Sequence, residues 1–182
     1  MQPPPLAERA LRLAEELGFG NSCTPETGRL LQVLAGMGAR RRVGEIGTGV
    51  GYGAAWILSA LEPSAGFVTV ELDAGRAEAA AGLFAGDPNV RVLAGDWHEV
   101  MPTEAPFDLL FYDGGGKQRP DLDGEQVVAL LGPRATVVMD DLTPGRRGHD
   151  VVREFWLGHP ALAGVELQVS ARESVIVAVR TL

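Results

Sequence analysis

Lysine is nearly missing from this 182-residue chain: of 16 Lys and Arg residues, Lys117 is the single lysine. Cysteine occurs once, at Cys23, so no internal disulfide can form, and the thiol reads as an inert, half-buried group rather than a nucleophile. Basic charge is scarce and scattered. The formal net charge is −8, and the only basic runs are Arg40-Arg41-Arg42 and Arg146-Arg147, which excludes the concentrated basic face that binds a nucleic-acid backbone. No apolar run approaches the ~18 residues of a membrane span. Met1-Gln2-Pro3-Pro4-Pro5 leads into Leu6-Ala7-Glu8-Arg9 without the apolar stretch of a signal peptide. A cytoplasmic protein is expected, with no nucleic-acid partner and no membrane. The length suits one domain over 1–182, with N-terminal helices in 1–40 and a core in 41–182.

Helical and strand periods alternate along the chain. Leu6 to Leu17 places Leu6, Ala10, Leu13, Ala14 and Leu17 on one helical face, ended by Gly18. A second helix starts at Thr24-Pro25-Glu26, with Thr as cap and Pro in the first turn, and runs to Gly36 or Gly38. Apolar runs at 42–47, 67–72, 90–94, 107–113 and 135–140 suit buried parallel strands, and segments of helical period at 52–61, 74–84, 122–131 and 151–157 separate them. In the tail, 165–170 and 174–179 are separated only by Ala171, Arg172 and Glu173, too short for a parallel crossover, so they must be antiparallel. The expected fold is α/β: an open sheet of seven strands, mostly parallel, with helices on both faces and a C-terminal antiparallel hairpin.

Ligands of such sheets bind beyond the carboxyl ends of the strands. The residues there are acids at every parallel strand: Glu45, Glu71, Asp96, Asp113, then Asp140 and Asp141. Any one of them could cap the following helix. Together they would converge on one crevice and repel one another unless cations or hydroxyl donors met them. After the first strand comes Glu45-Ile46-Gly47-Thr48-Gly49-Val50-Gly51-Tyr52-Gly53, a glycine-rich turn into a helix. The dinucleotide spacing G-x-G-x-x-G fails, because Tyr52 stands at the sixth position from Gly47. That argues against a nicotinamide oxidoreductase, and Glu45 at the strand end suits a cationic ligand. Glu71 can accept both hydroxyls of a ribose and Asp96 an exocyclic amine. Trp97 is either a stacking face or a half-buried packing residue. Ribose, adenine and a cationic amine-bearing chain describe S-adenosylmethionine.

Here the sequence resembles the class I S-adenosylmethionine-dependent methyltransferases, most of all the small O-methyltransferases of the catechol and caffeoyl-CoA type. The resemblance rests on Thr24-Pro25-Glu26-Thr27-Gly28-Arg29-Leu30-Leu31, on Glu45 to Tyr52, on Val70-Glu71-Leu72, on Ala94-Gly95-Asp96 and on Phe107 to Asp113. It implies a Rossmann-like fold, a small-molecule acceptor and a homodimer. The cofactor-binding set it implies is Glu45, Gly47, Gly49, Gly51, Tyr52, Glu71, Leu72, Asp96, Trp97 and Asp113. Glu45 and the Gly47 to Gly51 backbone would hold the methionine part, Glu71 the ribose and Asp96 the adenine region. It also implies a divalent cation, usually magnesium, at Asp113, Asp140 and Asp141, the last replacing the family's Asn. Such an ion would draw in an oxygen pair of the acceptor and favour its deprotonated form.

The family's candidate general base, a lysine three residues after the metal Asp, here falls four residues on, in Asp113-Gly114-Gly115-Gly116-Lys117. Lys117 with Asp113 forms the expected catalytic pair, against a reading of Lys117 as an ordinary exposed lysine. The aromatic-rich loop after the second metal position is replaced by Leu142-Thr143-Pro144, so the acceptor pocket must differ. Two alternatives stay open: a metal-independent methyltransferase acting on nitrogen or a carboxylate, with the aspartates as helix caps and loop anchors, and a non-catalytic S-adenosylmethionine sensor. Tyr112 should face away from Asp113 into the core. His98 is expected in the first turn after Asp96, and His149 in solvent.

Overall fold

A computed structural model of the chain describes residues 2–38 and 40–181. Seven strands form one sheet in the order β3-β2-β1-β4-β5-β7-β6. They are β1 (Arg42–Ile46), β2 (Gly66–Glu71), β3 (Val90–Ala94), β4 (Phe107–Tyr112), β5 (Leu131–Leu142), β6 (Leu162–Gln168) and β7 (Ser174–Arg180). The first five pair in parallel; β7 lies antiparallel between β5 and β6. Strand order reverses between β1 and β4, and the carboxyl ends of those two strands open the crevice where ligands of such sheets sit.

Alternation along the strands builds two cores. On β4, Leu109 and Phe111 face one side and Leu110 and Tyr112 the other, all four fully buried. The first side is covered by α1 (Pro5–Leu17), α2 (Pro25–Gly36), α3 (Tyr52–Leu58) and α4 (Ala74–Phe84); the second by α5 (Trp97–Val100), α6 (Glu125–Ala129) and α7 (Val151–Gly158). Each fully buried phenylalanine contributes roughly 1.5–3 kcal/mol relative to leaving it exposed.

The Thr24 to Leu31 run has a structural explanation. Thr24 Oγ1 accepts from the Thr27 amide at 3.2 Å as the cap of α2, and Pro25 opens the helix. A Cβ on Gly28 would fall within the Trp56 indole, so only glycine lets α2 lie this close to α3. Thr27 Oγ1 donates to Glu173 Oε1 at 2.9 Å, joining α2 to the turn before β7.

Several boundaries differ from the sequence reading: the helix expected over 52–61 ends at Leu58, that over 122–131 is Glu125–Ala129, and two strands start earlier. Strand β5 starts at Leu131, because Leu131 pairs with Phe107 before the register shifts to Leu109 with Thr136. Strand β6 starts at Leu162, aligned with Arg180 by its partner. Segment 120–124 is a wide helical turn leading into α6.

Candidate active site

A cavity of about 480 Å³ opens over the carboxyl ends of β1 to β4. Of the residues expected to bind a cofactor, Glu45, Gly47, Gly49, Tyr52, Glu71, Leu72, Asp96, Trp97 and Asp113 line it. Gly51 does not: it precedes α3 with φ +92°, and a Cβ there would meet Phe84 of α4 at 2.8 Å. Gly47 meets a double requirement. Its φ is +91°, and a Cβ would lie 2.6 Å from the Asp113 carbonyl oxygen, where the ends of β1 and β4 close together.

Glu45 is fully buried, and its Oε2 accepts from Thr69 Oγ1 at 2.6 Å. Burial dominates its ionisation and pushes the carboxyl up from 4.5 to about 8 against the Thr69 hydrogen bond, with Asp140 adding to the rise. Without a ligand Glu45 is therefore neutral at pH 7, where the sequence reading had a fixed negative charge. It would ionise on meeting a cation.

Glu71 closes β2 with both oxygens engaged. Oε2 accepts from the Gly49 amide at 2.8 Å; Oε1 accepts from the Asp73 amide at 3.0 Å and from Arg76 Nη2 at 2.7 Å. The Arg76 guanidinium lies over the Phe19 ring, 5.5 Å from its centroid. Leu72, 75% exposed, offers an apolar rim beside this acid. Asp96 caps α5, Oδ1 accepting from the His98 amide at 2.9 Å, and the His98 ring bridges Asp96 Oδ1 at 2.6 Å and Asp123 Oδ1 at 2.8 Å. Burial pulls the His98 imidazole down, but its bonds to Asp123 and Asp96 outweigh this and hold its pKa above the usual value. Trp97 is 7% exposed, stacked on His98 and set edge-on to Tyr112, so much of its ring is packing surface.

Beside the cavity, Asp140 and Asp141 converge on Asp113, which lines it. One oxygen of each lies within 4.8 Å of the others. Lys117 Nζ stands among them, donating to Asp113 Oδ1 at 3.1 Å, Asp140 Oδ1 at 2.7 Å and Asp141 Oδ2 at 2.9 Å. Consecutive strand residues normally point to opposite faces. Here β5 carries Asp140 and Asp141 between Met139, paired with Ile176, and Leu142, paired with Ser174, so the strand bulges, and Asp141 takes φ +63°. The bulge aims both side chains at one point. Burial raises Asp113 to about 9, with Asp140 adding to it, and raises Asp140 as well: three carboxylates share one ammonium. Lys117 is buried too, but the aspartates outweigh that and raise its pKa. Held this way, Lys117 is stabilised in its protonated form and stands as a cation among the three carboxyl groups.

Several residues here were not singled out from sequence. Arg76 holds Glu71 from one turn into α4, and Thr69 holds Glu45 from β2. Glu173 is buried with Oε2 unpaired. The acid within the hairpin connection was the available signal for Glu173. Cys23 lines the cavity; burial pushes its thiol up and Asp140 and Asp113 add to that, so it remains a thiol. Tyr112 is fully buried and donates to the Gly115 carbonyl oxygen at 3.0 Å. His149 lies in solvent beside Glu154. No helix among the described residues is long and apolar enough to cross a membrane.

An open sheet in this order, with a glycine turn after β1 and acids at the ends of β1 to β5, matches known proteins. A family model described as a methyltransferase domain matches residues 45–142, more than half of the chain, and the chain belongs to that family. A relative from Mycobacterium tuberculosis (strain ATCC 25618 / H37Rv), named as an O-methyltransferase, is 31% identical over 149 residues, covering 78% of this chain and 65% of its own length. One from Mycobacterium marinum is 29% identical over 147 residues, with the same coverage. The chain thus spans just under two thirds of these relatives. Among solved structures, the O-methyltransferase TomG of Streptomyces achromogenes, involved in tomaymycin synthesis and in complex with S-adenosylmethionine, superposes with a TM-score of 0.81 at 25% identity, covering 100% of this chain and 92% of its own. An O-methyltransferase from Bacillus cereus in complex with S-adenosylhomocysteine shares the fold with a TM-score of 0.84 at 21% identity, covering 100% and 93%.

Proposed function

We propose that this chain transfers the methyl group of S-adenosylmethionine to an oxygen of a small-molecule acceptor. The observation that carries this is the single cavity wall running from Leu72 and Asp96, past Glu71, to Glu45 and on to Asp113. It supplies in order an apolar rim for a base, an acid for a ribose, an acid for an ammonium and an acidic end for an acceptor.

Glu71 would exchange its Arg76 contact for ribose hydroxyls, and the amino group of the methionine part would meet Glu45. The acceptor oxygen attacks the sulfonium methyl carbon in line with the sulfur. The new C–O bond forms as the C–S bond breaks, the electron pair stays on sulfur, and S-adenosylhomocysteine leaves. Asp113 is the trio member on the cavity wall; its ionised form, which the Lys117 ammonium favours, would take the hydroxyl proton, so the step gains as pH rises toward about 9. Positioning supplies most of the rate in such a displacement.

The trio fits a divalent cation by two observations: its donors are three carboxylates around a common point, and Asp140 Oδ2 is buried without a partner. Asp113, Asp140 and Asp141 would hold the ion. When bound, magnesium would supply Lewis-acid polarisation of an acceptor oxygen.

The same reading takes the chain as one domain, its N-terminal helices in 1–40 packed on the core in 41–182. It also takes the chain as cytoplasmic and homodimeric. For the dimer, Val165, Leu167 and Val179 form an exposed apolar strip on one face of the β6–β7 hairpin, at the open edge of the sheet. The test is calorimetry followed by a hydroxyl acceptor panel. S-adenosylmethionine should bind 1:1, and S-adenosylhomocysteine should form only with acceptor present. No heat at millimolar ligand would sink the reading.

A further inference from the structure

The three aspartates already hold a cation, and it belongs to the chain. An ammonium has three hydrogens and no lone pair. Lys117 gives one to each carboxylate, at 3.1, 2.7 and 2.9 Å, with its side chain only 10% exposed. Its donors are used up.

The approach to that position is built. After Asp113 the chain bends through three glycines, two of them in places where a side chain cannot fit. A Cβ on Gly114 would lie 2.6 Å from Ile46 Cγ2; one on Gly116, where φ is +97°, would collide with the Asp123 carboxylate. Tyr112 fixes the middle of the bend through the Gly115 carbonyl, and the Arg119 amide donates to the Gly116 carbonyl at 2.9 Å. This tight path brings a lysine four residues past Asp113 back over the Asp113 carboxylate.

The residue type also matters. A guanidinium keeps its five donors in one plane, whereas an ammonium is a compact point charge with donors in three directions. The one lysine of a chain whose other basic residues are all arginine stands at the one place, among the described residues, where three carboxylates converge on a single donor.

We propose that Lys117 is the resident cation of the Asp113, Asp140 and Asp141 cluster, and that a divalent ion enters only by displacing its ammonium. The proposal rests on the methyltransferase reading only in taking the trio as a cation site. A magnesium or calcium ion needs carboxylate oxygens at roughly 2.0–2.6 Å, from the same oxygens that now accept from Nζ. Ion and ammonium cannot share that point. The exchange is set up rather than forbidden, because three carboxyl groups face one ammonium and Asp140 Oδ2 has no partner. Lys117 thereby sets the ion affinity of the site.

The test uses the whole chain and Mn²⁺ as probe, followed by electron paramagnetic resonance of the free ion. Lys117→Met should bind one Mn²⁺ roughly tenfold or more tightly than wild type, since it removes a competing charge about 3 Å from each ligand. Mn²⁺ should also raise the melting temperature of Lys117→Met more than that of wild type. Lys117→Arg, which keeps the charge and guards against a variant that fails to fold, should bind Mn²⁺ with intermediate affinity. The single lysine allows a direct measurement on wild type. In protein labelled with ¹³C,¹⁵N-lysine, the one side-chain signal should move toward that of a free lysine as Mg²⁺ saturates the trio. Equal or weaker Mn²⁺ binding by Lys117→Met, no binding by either protein, or an unmoved lysine signal with Mg²⁺ bound 1:1 overturns the proposal. A separate calorimetric titration with S-adenosylmethionine reports on the methyltransferase reading, so the two can fail independently.

Discussion

The cavity and the aspartate cluster next to it manage negative charge in opposite ways. At the cofactor end each acid has its own answer: Glu45 is neutralised by burial beside a threonine hydroxyl, and Glu71 is bonded to two backbone amides and an arginine. In the aspartate cluster beside it three acids share one ammonium, and one of their oxygens is left unpaired. The first arrangement is complete and exchanges one partner for another when ligand arrives. The second is under-compensated and gains from any added cation. Desolvation explains why this asymmetry matters, since a buried carboxylate without a partner is costly.

The sharpest way to break the comparison is Glu71→Ala. It should weaken S-adenosylmethionine binding about 100-fold by calorimetry, two charge-assisted hydrogen bonds at about 1.5–3 kcal/mol each being at stake. A loss under threefold would mean that Glu71 does not meet the ligand.

Next comes pH. The Glu45 carboxyl is raised from 4.5 to about 8 in the folded, ligand-free chain. The folded state therefore holds the extra proton between those values. This group's contribution to stability is full below 4.5 and lost as pH rises through about 8. Binding a cationic ligand runs the other way, because it needs the ionised form. Affinity should climb by up to about tenfold per pH unit below 8 and flatten above it. Glu45→Gln should match wild type near pH 6 and lose the pH dependence; an identical slope in both proteins rules Glu45 out as the titrating group.

A smaller effect is expected from Asp141→Asn. Asparagine tolerates the positive φ at this position, and one of three crowded charges disappears. Thermal or urea unfolding should show the variant unchanged or stabilised by up to about 1 kcal/mol, while removing an acid at the cofactor end should destabilise. A clear loss would show that the trio is not over-charged. The smallest effect belongs to Arg76→Ala, which frees Glu71 Oε1 and should tighten S-adenosylmethionine binding by a factor of about two to five, equivalent to losing one exposed ion pair. Weaker binding would instead make Arg76 a ligand contact.

Much of this was legible in the residues. Helix α4 and strand β3 begin and end where the periodicity puts them, because Asp73 caps one and alternating apolar residues define the other. The acids at the strand ends could be read because parallel topology forces them to one edge. The start of β5 could not, since Gly132-Pro133 reads as a turn and its pairing with Phe107 is decided by β4. Nor could the convergence of Asp140 with Asp141, which depends on a bulge opposite β7, a partner more than thirty residues away. Lys117 looked one residue out of place for a base. Its spacing is explained by three glycines whose bend becomes visible only against Ile46 and Asp123.

The hydrogen bond from Thr27 to Glu173 spans 146 positions of the chain, and with β7 inserted between β5 and β6 it ties the two ends of the sequence to one structure. All the acids of the cofactor wall are present once synthesis has passed Asp113. The bulge that aims Asp140 and Asp141 has no partner strand until Ser174 to Ile176 arrive, and α2 has no anchor on the hairpin until Glu173 does. The lining of the cavity thus comes from the first two thirds of the sequence, while the geometry of the aspartate cluster beside it is set by the last strand.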